Sequence, residues 1–137
     1  MRLSLQTDYS LRTLMYLAAR PGRRNIAEIA DFFGISQAHV AKVVTQLARW
    51  GFVRSIRGIG GGLELARPAD EISIGAVVRA SEGSLNLLEC VSVDDVCVIQ
   101  RHCKLRGVLR EAERLQLEYL ENVRLSDVLP FDAARTK

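Results

Sequence analysis

The chain has 137 residues, 48% hydrophobic and 26% charged, with 19 Lys and Arg against 16 Asp and Glu for a formal net charge of +3. This length supports a single real core, and the composition excludes an intrinsically disordered chain. The charge is uneven: residues 1–80 carry 11 basic against 6 acidic side chains and residues 81–137 carry 8 against 10, so the N-terminal part is the one suited to meet a polyanion.

Taken in order, Thr7-Asp8 reads as a helix start, a capping hydroxyl followed by an acid at the positive end of the helix dipole. Leu11, Leu14, Met15, Leu17 and Ala18 continue that helix to about Arg20, and Pro21-Gly22 ends it. A second helix is predicted over 26–33, with Ile26, Ile29, Ala30 and Phe33 on one face. Gly34-Ile35-Ser36 then supplies a C-cap glycine and the next N-cap, the tight connection of a helix–turn–helix. The third helix, from about Gln37 to Trp50, buries Val40, Val43, Val44 and Leu47. Ala38, Lys42, Thr45 and Arg49 lie opposite, His39 and Gln46 flank them, and Gln37 sits near the start. Small, polar and cationic residues facing outward suit a helix that enters the major groove.

Residues 52–68 read as a hairpin, with strands at about 52–56 and 63–66 around Gly58, Gly60, Gly61 and Gly62 and with Arg54, Arg57 and Arg67 along it. These glycines do not open a helix after a strand, so the dinucleotide and P-loop readings fail. A helix–turn–helix followed by a glycine-tipped basic hairpin is a winged helix, and Arg57 at its tip is placed to probe a minor groove. The DNA-contact set predicted from both pieces is Ser36, Gln37, Ala38, His39, Lys42 and Arg49, with Arg54, Arg57 and Gly60 from the hairpin. No nucleotide fingerprint or paired acid–base constellation accompanies them, which argues against an enzyme.

Beyond the hairpin, Ser73 caps a helix of about Ile74–Glu82 that Gly83 ends. A long helix follows from Cys103 to about Val123, striped by Leu105, Val108, Ala112, Leu115 and Tyr119 and widened by Leu109, Leu120 and Val123. Such a stripe needs a cover, either a partner subunit or the chain's own first helix, on different faces if both. Leu125 to Pro130 is read as a final turn and the tail to Lys137 as frayed. The fold class is thus mainly α with a small β-hairpin wing. A DNA-binding region over 1–83 precedes a cysteine loop and dimerisation helix over 84–137, expected as one compact domain.

All three cysteines lie between Cys90 and Cys103, six residues separating Cys90 from Cys97 and five separating Cys97 from Cys103. Structural zinc sites favour four ligands and tight pairs, neither of which is present. Three thiolates plus one other ligand suit an iron–sulfur cluster better. The alternative is three ordinary cysteines in a loop, although Asp94, Asp95, Gln100, Arg101 and His102 make a plain core segment a poor description of it. An odd cysteine count, no apolar run in Met1–Asp8 and no stretch of membrane-spanning length predict a reducing cytoplasm, no membrane and no disulfide framework.

Taken together, Thr7-Asp8-Tyr9-Ser10-Leu11-Arg12, Gly34-Ile35-Ser36, Val53-Arg54-Ser55-Ile56-Arg57-Gly58 and the three cysteines resemble the cluster-binding winged-helix repressors that include IscR, RirA and NsrR. The resemblance spans about residues 1–130. It is strongest to the nitric-oxide-sensing branch, NsrR, through Ser36-x-x-His39-x-x-Lys42, Asn86-Leu-Leu-Glu-Cys90 and Cys97-Val-Ile-x-x-x-Cys103-x-Leu105. It implies a homodimer on double-stranded operator DNA, with a cluster (4Fe–4S in preference to 2Fe–2S) at the subunit interface. The implied ligands are Cys90, Cys97 and Cys103 with Asp8 of the other subunit as the fourth. Lys104-Leu105-Arg106-Gly107 offers no histidine where some relatives use one, and His102 ranks below Asp8. The implied signal is nitric oxide. An iron- or cluster-status regulator is the alternative within the family, and a clusterless thiol switch lies outside it.

Overall fold

The computed structural model describes residues 2–83, 85 and 87–129. Asn86, part of the resemblance, and the predicted tail from Pro130 to Lys137 lie outside the described residues. The element order is α1 (Leu5–Ala19), α2 (Ile26–Phe33), α3 (Gln37–Arg49), β1 (Val53–Ile56), β2 (Gly62–Leu65), α4 (Ile74–Glu82), α5 (Glu89–Ser92) and α6 (Lys104–Glu121). Short 3-10 turns at Ala69–Glu71, Gln100–His102 and Leu125–Val128 punctuate it.

Local chemistry sets most of these boundaries. The α2 start is a full capping box: Asn25 accepts from the Glu28 amide at 2.9 Å, and the Glu28 carboxylate accepts from the Asn25 amide at 2.7 Å. Gly34 closes α2 in the left-handed region (φ 67°), where a side chain would be strained. Ser36 and Ser73 cap α3 and α4 through the His39 and Ala76 amides.

The first helix departs from the expectation. Its cap is Ser4, whose hydroxyl accepts from the Thr7 amide at 3.2 Å, and not Thr7. Thr7 instead sits fully buried in the first turn, 2.6 Å from both the Ser81 hydroxyl and a Glu82 carboxylate oxygen on α4. Asp8 keeps its place near the positive end of the dipole. The buried side of α1 includes Thr7, Ser10 and Thr13 beside Leu14, Tyr16 and Leu17, while Leu11, Met15 and Ala18 pack at its margin. A hydrophobic count misses this face because half of it is made of small hydroxyls.

The core gathers α1, α2, α3, the hairpin and α4, with Leu14, Ile29, Val40, Leu47, Ile72 and Val77 wholly shielded. β1 and β2 pair antiparallel, Val53 opposite Leu65 and Ile56 opposite Gly62. The α1–α2 loop adds a third edge: the Arg24 amide donates to the Leu63 carbonyl at 2.9 Å and the Leu63 amide returns a bond at 2.6 Å. Behind α4, the Ile74 amide donates to Val123 at 2.9 Å and the Leu125 amide to Ile72 at 2.8 Å, anchoring the end of α6. Gly75 lets the two helices approach so closely that a Cβ there would strike the Glu121 backbone. Leu117, Leu120 and Val123 face this side, whereas Leu105, Val108, Leu115 and Tyr119 remain 52–71% exposed. The inner cover is therefore α4 and not the expected first helix, because Gly75 and the Ser73–Glu121 contacts seat α6 there, and the outer face is left uncovered; Leu117 belongs to the inner face, a residue outside the predicted stripe.

Candidate nucleic-acid interface and cysteine loop

The outward face of α3 is free. Ser36, Gln37, Ala38, His39, Lys42 and Arg49 are all exposed, above a floor of buried Val40, Val43, Val44 and Leu47. The helix is thus held from one side only, and a duplex can approach the other without disturbing the core. Thr45, also on this face, spends its hydroxyl on the Ala41 carbonyl at 3.0 Å.

The wing stands beside it. Arg57 and Gly60 are exposed at the tip, next to the fully exposed Ile59. Arg54 is exposed too, but its guanidinium pairs with Glu64 across the hairpin at 2.7 Å, so a phosphate would have to compete with that carboxylate. Arg67 lies over the Phe52 ring at 5.3 Å and is occupied in holding the base of the wing. Arg23, absent from the predicted set, donates from its guanidinium to the Gly60 carbonyl and thereby ties the α1–α2 loop to the wing tip. Arginine beside a glycine hairpin is no signal by itself, since the contact joins residues 37 apart in sequence.

The cysteine loop is built differently. Residues 92–99 are all exposed, yet the loop has an internal knot at Gln100, which is 7% exposed. The Gln100 side-chain amide donates to the Cys90 carbonyl at 2.8 Å and the Val93 carbonyl at 2.5 Å, and its carbonyl accepts from the Val96 amide at 3.1 Å. One carboxamide therefore saturates three backbone groups between the first and third cysteines. Residues 106–113 of α6 strap the loop from outside. Arg106 pairs with Asp94 at 2.7 Å, Arg110 donates to the Val91 carbonyl at 3.1 Å, and Glu113 accepts from the Leu87 amide at 2.7 Å.

All three thiols are free, Cys97 exposed and Cys90 and Cys103 half-buried. As donors they suit a soft metal centre. Among the described residues of a protomer, however, no group of three or more His, Cys, Asp or Glu side chains is gathered closely enough to hold a metal ion. Asp8 is on α1, half-exposed and paired within its own helix to Arg12 at 2.8 Å. The donor chemistry fits an iron–sulfur cluster, and a protomer's described residues do not by themselves complete the site. No helix among the described residues is long and apolar enough to cross a membrane.

A helix–turn–helix with its reading face bare, flanked by a basic wing, defines a winged-helix DNA-binding regulator. The family model described as Rrf2, iron-dependent transcriptional regulator, matches residues 3–130, and the chain belongs to that family. It is 43% identical over 132 residues to the HTH-type transcriptional regulator NsrR of Bacillus subtilis (strain 168), covering 94% of this chain and 90% of that protein. It is 40% identical over 132 residues to the HTH-type transcriptional regulator NsrR of Halalkalibacterium halodurans, with coverage of 94% and 90%. Among solved structures, CymR, the global cysteine regulator of B. subtilis, superposes with a TM-score of 0.72 at 27% identity over 100% of this chain and 99% of that one. T. potens IscR reaches a TM-score of 0.76 at 24% identity over 100% and 93%, a likeness of fold. The chain is a DNA-binding transcriptional regulator.

Proposed function

We propose that this regulator is a cytoplasmic, homodimeric repressor that holds an iron–sulfur cluster, 4Fe–4S in preference to 2Fe–2S, and releases its operator when nitric oxide reaches the iron. The observation that carries the reading is the cysteine loop: three free thiols in a segment knotted by Gln100 and strapped to α6, beside an uncovered apolar helix face. The likeness to proteins named NsrR supports the nitric oxide assignment.

In this reading Cys90, Cys97 and Cys103 would hold the cluster as thiolates, and Asp8 from the second subunit would be the fourth ligand in place of its pairing with Arg12. The cluster, when bound, supplies an iron that coordinates nitric oxide. A carboxylate is a harder ligand than a thiolate, so an iron held by Asp8 would be bound less firmly than one held by a cysteine. Were Asp8 to lose its hold on the cluster, α1, which packs on α3, would be free to move, and the two recognition helices would lose their spacing on the duplex. Allosteric couplings of about 1–3 kcal/mol are common, and about 1.4 kcal/mol is already a tenfold change in affinity. Gln37, Ala38 and His39 face base edges, Lys42 and Arg49 reach phosphates with Arg54 where it leaves Glu64, and Arg57 enters the minor groove beside Gly60.

Single Cys90→Ala, Cys97→Ala and Cys103→Ala variants, reconstituted anaerobically, test the ligand set by absorption and iron content. Each is expected to lose the native spectrum. A variant that keeps a full-occupancy cluster with that spectrum removes its cysteine from the set. The family's iron-dependent description favours a second reading, in which iron supply is the signal and the same residues hold the cluster.

A further inference from the structure

His39 is fixed at its backbone and nearly free at its ring. Its amide donates to the Ser36 hydroxyl at 3.2 Å as part of the α3 cap, while the side chain stands exposed on the reading face. The ring meets one other aromatic, Tyr9 of α1, with centroids 5.9 Å apart and planes tilted by 47°. The two rings line a groove of about 180 Å³ between the start of α1 and the recognition helix, together with Leu5, Gln6, Lys42 and Val43. Tyr9 itself is half-buried and follows Asp8 directly in the chain. Helical geometry separates neighbouring residues by about 100° and about 1.5 Å, so a shift of Asp8 is also a shift of Tyr9.

We propose that Tyr9 is the positioning residue that sets the His39 imidazole for base contact and transmits displacement of α1 to the recognition face. This rests on the reading above that His39 faces base edges. A tilted aromatic pair restricts the imidazole to fewer rotamers, which favours one hydrogen-bonding direction. A phosphate contact has no such requirement, so the loss of Tyr9 falls on discrimination between sequences and not on general affinity.

Four variants, Tyr9→Phe, Tyr9→Leu, His39→Ala and the Tyr9→Leu/His39→Ala double, are compared by fluorescence anisotropy on the duplex selected as the tightest binder and on random duplex, at one salt concentration. Thermal unfolding is recorded beside each. Tyr9→Phe is expected to bind both duplexes as the parent does. Tyr9→Leu keeps the groove filled and is expected to lose about three- to tenfold on the selected duplex and nothing on random DNA, the range that one aromatic pair provides. In the His39→Ala background Tyr9→Leu is expected to add no further loss. Equal losses on both duplexes, or an undiminished loss in the double variant, overturn the proposal. If His39→Ala loses discrimination and Tyr9→Leu does not, the relay alone fails. If His39→Ala loses none, the base-facing reading fails and the relay with it.

Discussion

Helices α3 and α6 carry similar amphipathic patterns and meet opposite fates. In 13 residues α3 buries Val40, Val43, Val44 and Leu47, whereas α6 spans 18 residues and buries none to the same degree. The difference lies in what covers them. α3 is clasped by α1, α2 and the hairpin, and its polar face is free to read DNA. α6 is covered on one side by α4, and its outer face keeps Leu105, Val108, Leu115 and Tyr119 exposed near the loop that holds the thiols. Several large apolar side chains left open along one helix mark an interaction surface. Periodicity therefore tells that a face is to be covered, and only packing tells by what.

The sharpest way to break this contrast is to truncate a leucine on each helix. Leu47→Ala removes a fully buried side chain and is expected to cost about 2–5 kcal/mol in denaturant unfolding. Leu115→Ala, 52% exposed in the protomer, is expected to cost less than about 0.5 kcal/mol under dilute conditions where protomers are separate. Equal losses, independent of protein concentration, would mean that the chain covers its own α6.

Much of the DNA-binding part is legible in sequence because its signals are local. Gly34 and Ser36 bracket the turn, Ser73 caps α4, and the 26–33 helix falls where its apolar spacing puts it. The hairpin strands, Val53–Ile56 and Gly62–Leu65, fall within one residue of the expected bounds, whereas the bridge from Arg24 to Leu63 comes from a loop far away in sequence that no local signal announces. At the start of α1, Thr7 looks like a cap locally, and only α4 reveals it as a buried partner of Ser81 and Glu82. In the cysteine loop the residue types were readable and the organisation was not. Nothing in Gln100 announces that it ties Cys90, Val93 and Val96 together, since those bonds exist only once the loop has closed.

Gln100 is the internal tie of the cysteine loop. Gln100→Glu keeps the shape but loses both donations, leaving the Cys90 and Val93 carbonyls without that partner. The loop is expected to open more readily by about 1–3 kcal/mol, read as faster hydrogen exchange at the Val96 amide in the cluster-free protein, with the unfolding of the core unchanged. Unaltered exchange would show that Arg106 and Arg110 hold the loop without it. On the outer face of α6, Val108→Glu is expected to raise the dimer dissociation constant at least about tenfold in sedimentation, about 1.4 kcal/mol, without unfolding the protomer. An unchanged association would place the dimer contact elsewhere.

The smallest expected effect is at the α1–α4 junction. Burial pushes the Glu82 carboxyl upward, but hydrogen bonds from the Thr7 hydroxyl and from the Ser4 amide and hydroxyl outweigh it, so its pKa lies below the ordinary 4.5. A lowered folded-state pKa means stability that is present above pH 4.5 and lost as pH falls through the folded value. Glu82→Gln should therefore flatten stability against pH in that acid window and leave the slope near neutrality alone. A slope unchanged below pH 4.5 would show that the Thr7–Glu82 contact adds nothing to folding.

The proposed function requires that a change at the thiol loop be felt at α3. Its most direct measurement is a nitric oxide titration of the anaerobic, cluster-loaded protein bound to operator DNA, run beside a chelator titration under mild conditions. Release within a few equivalents of nitric oxide, while chelator leaves the complex bound, is the predicted result. Release by chelator, with the complex intact after several equivalents of nitric oxide, would contradict it.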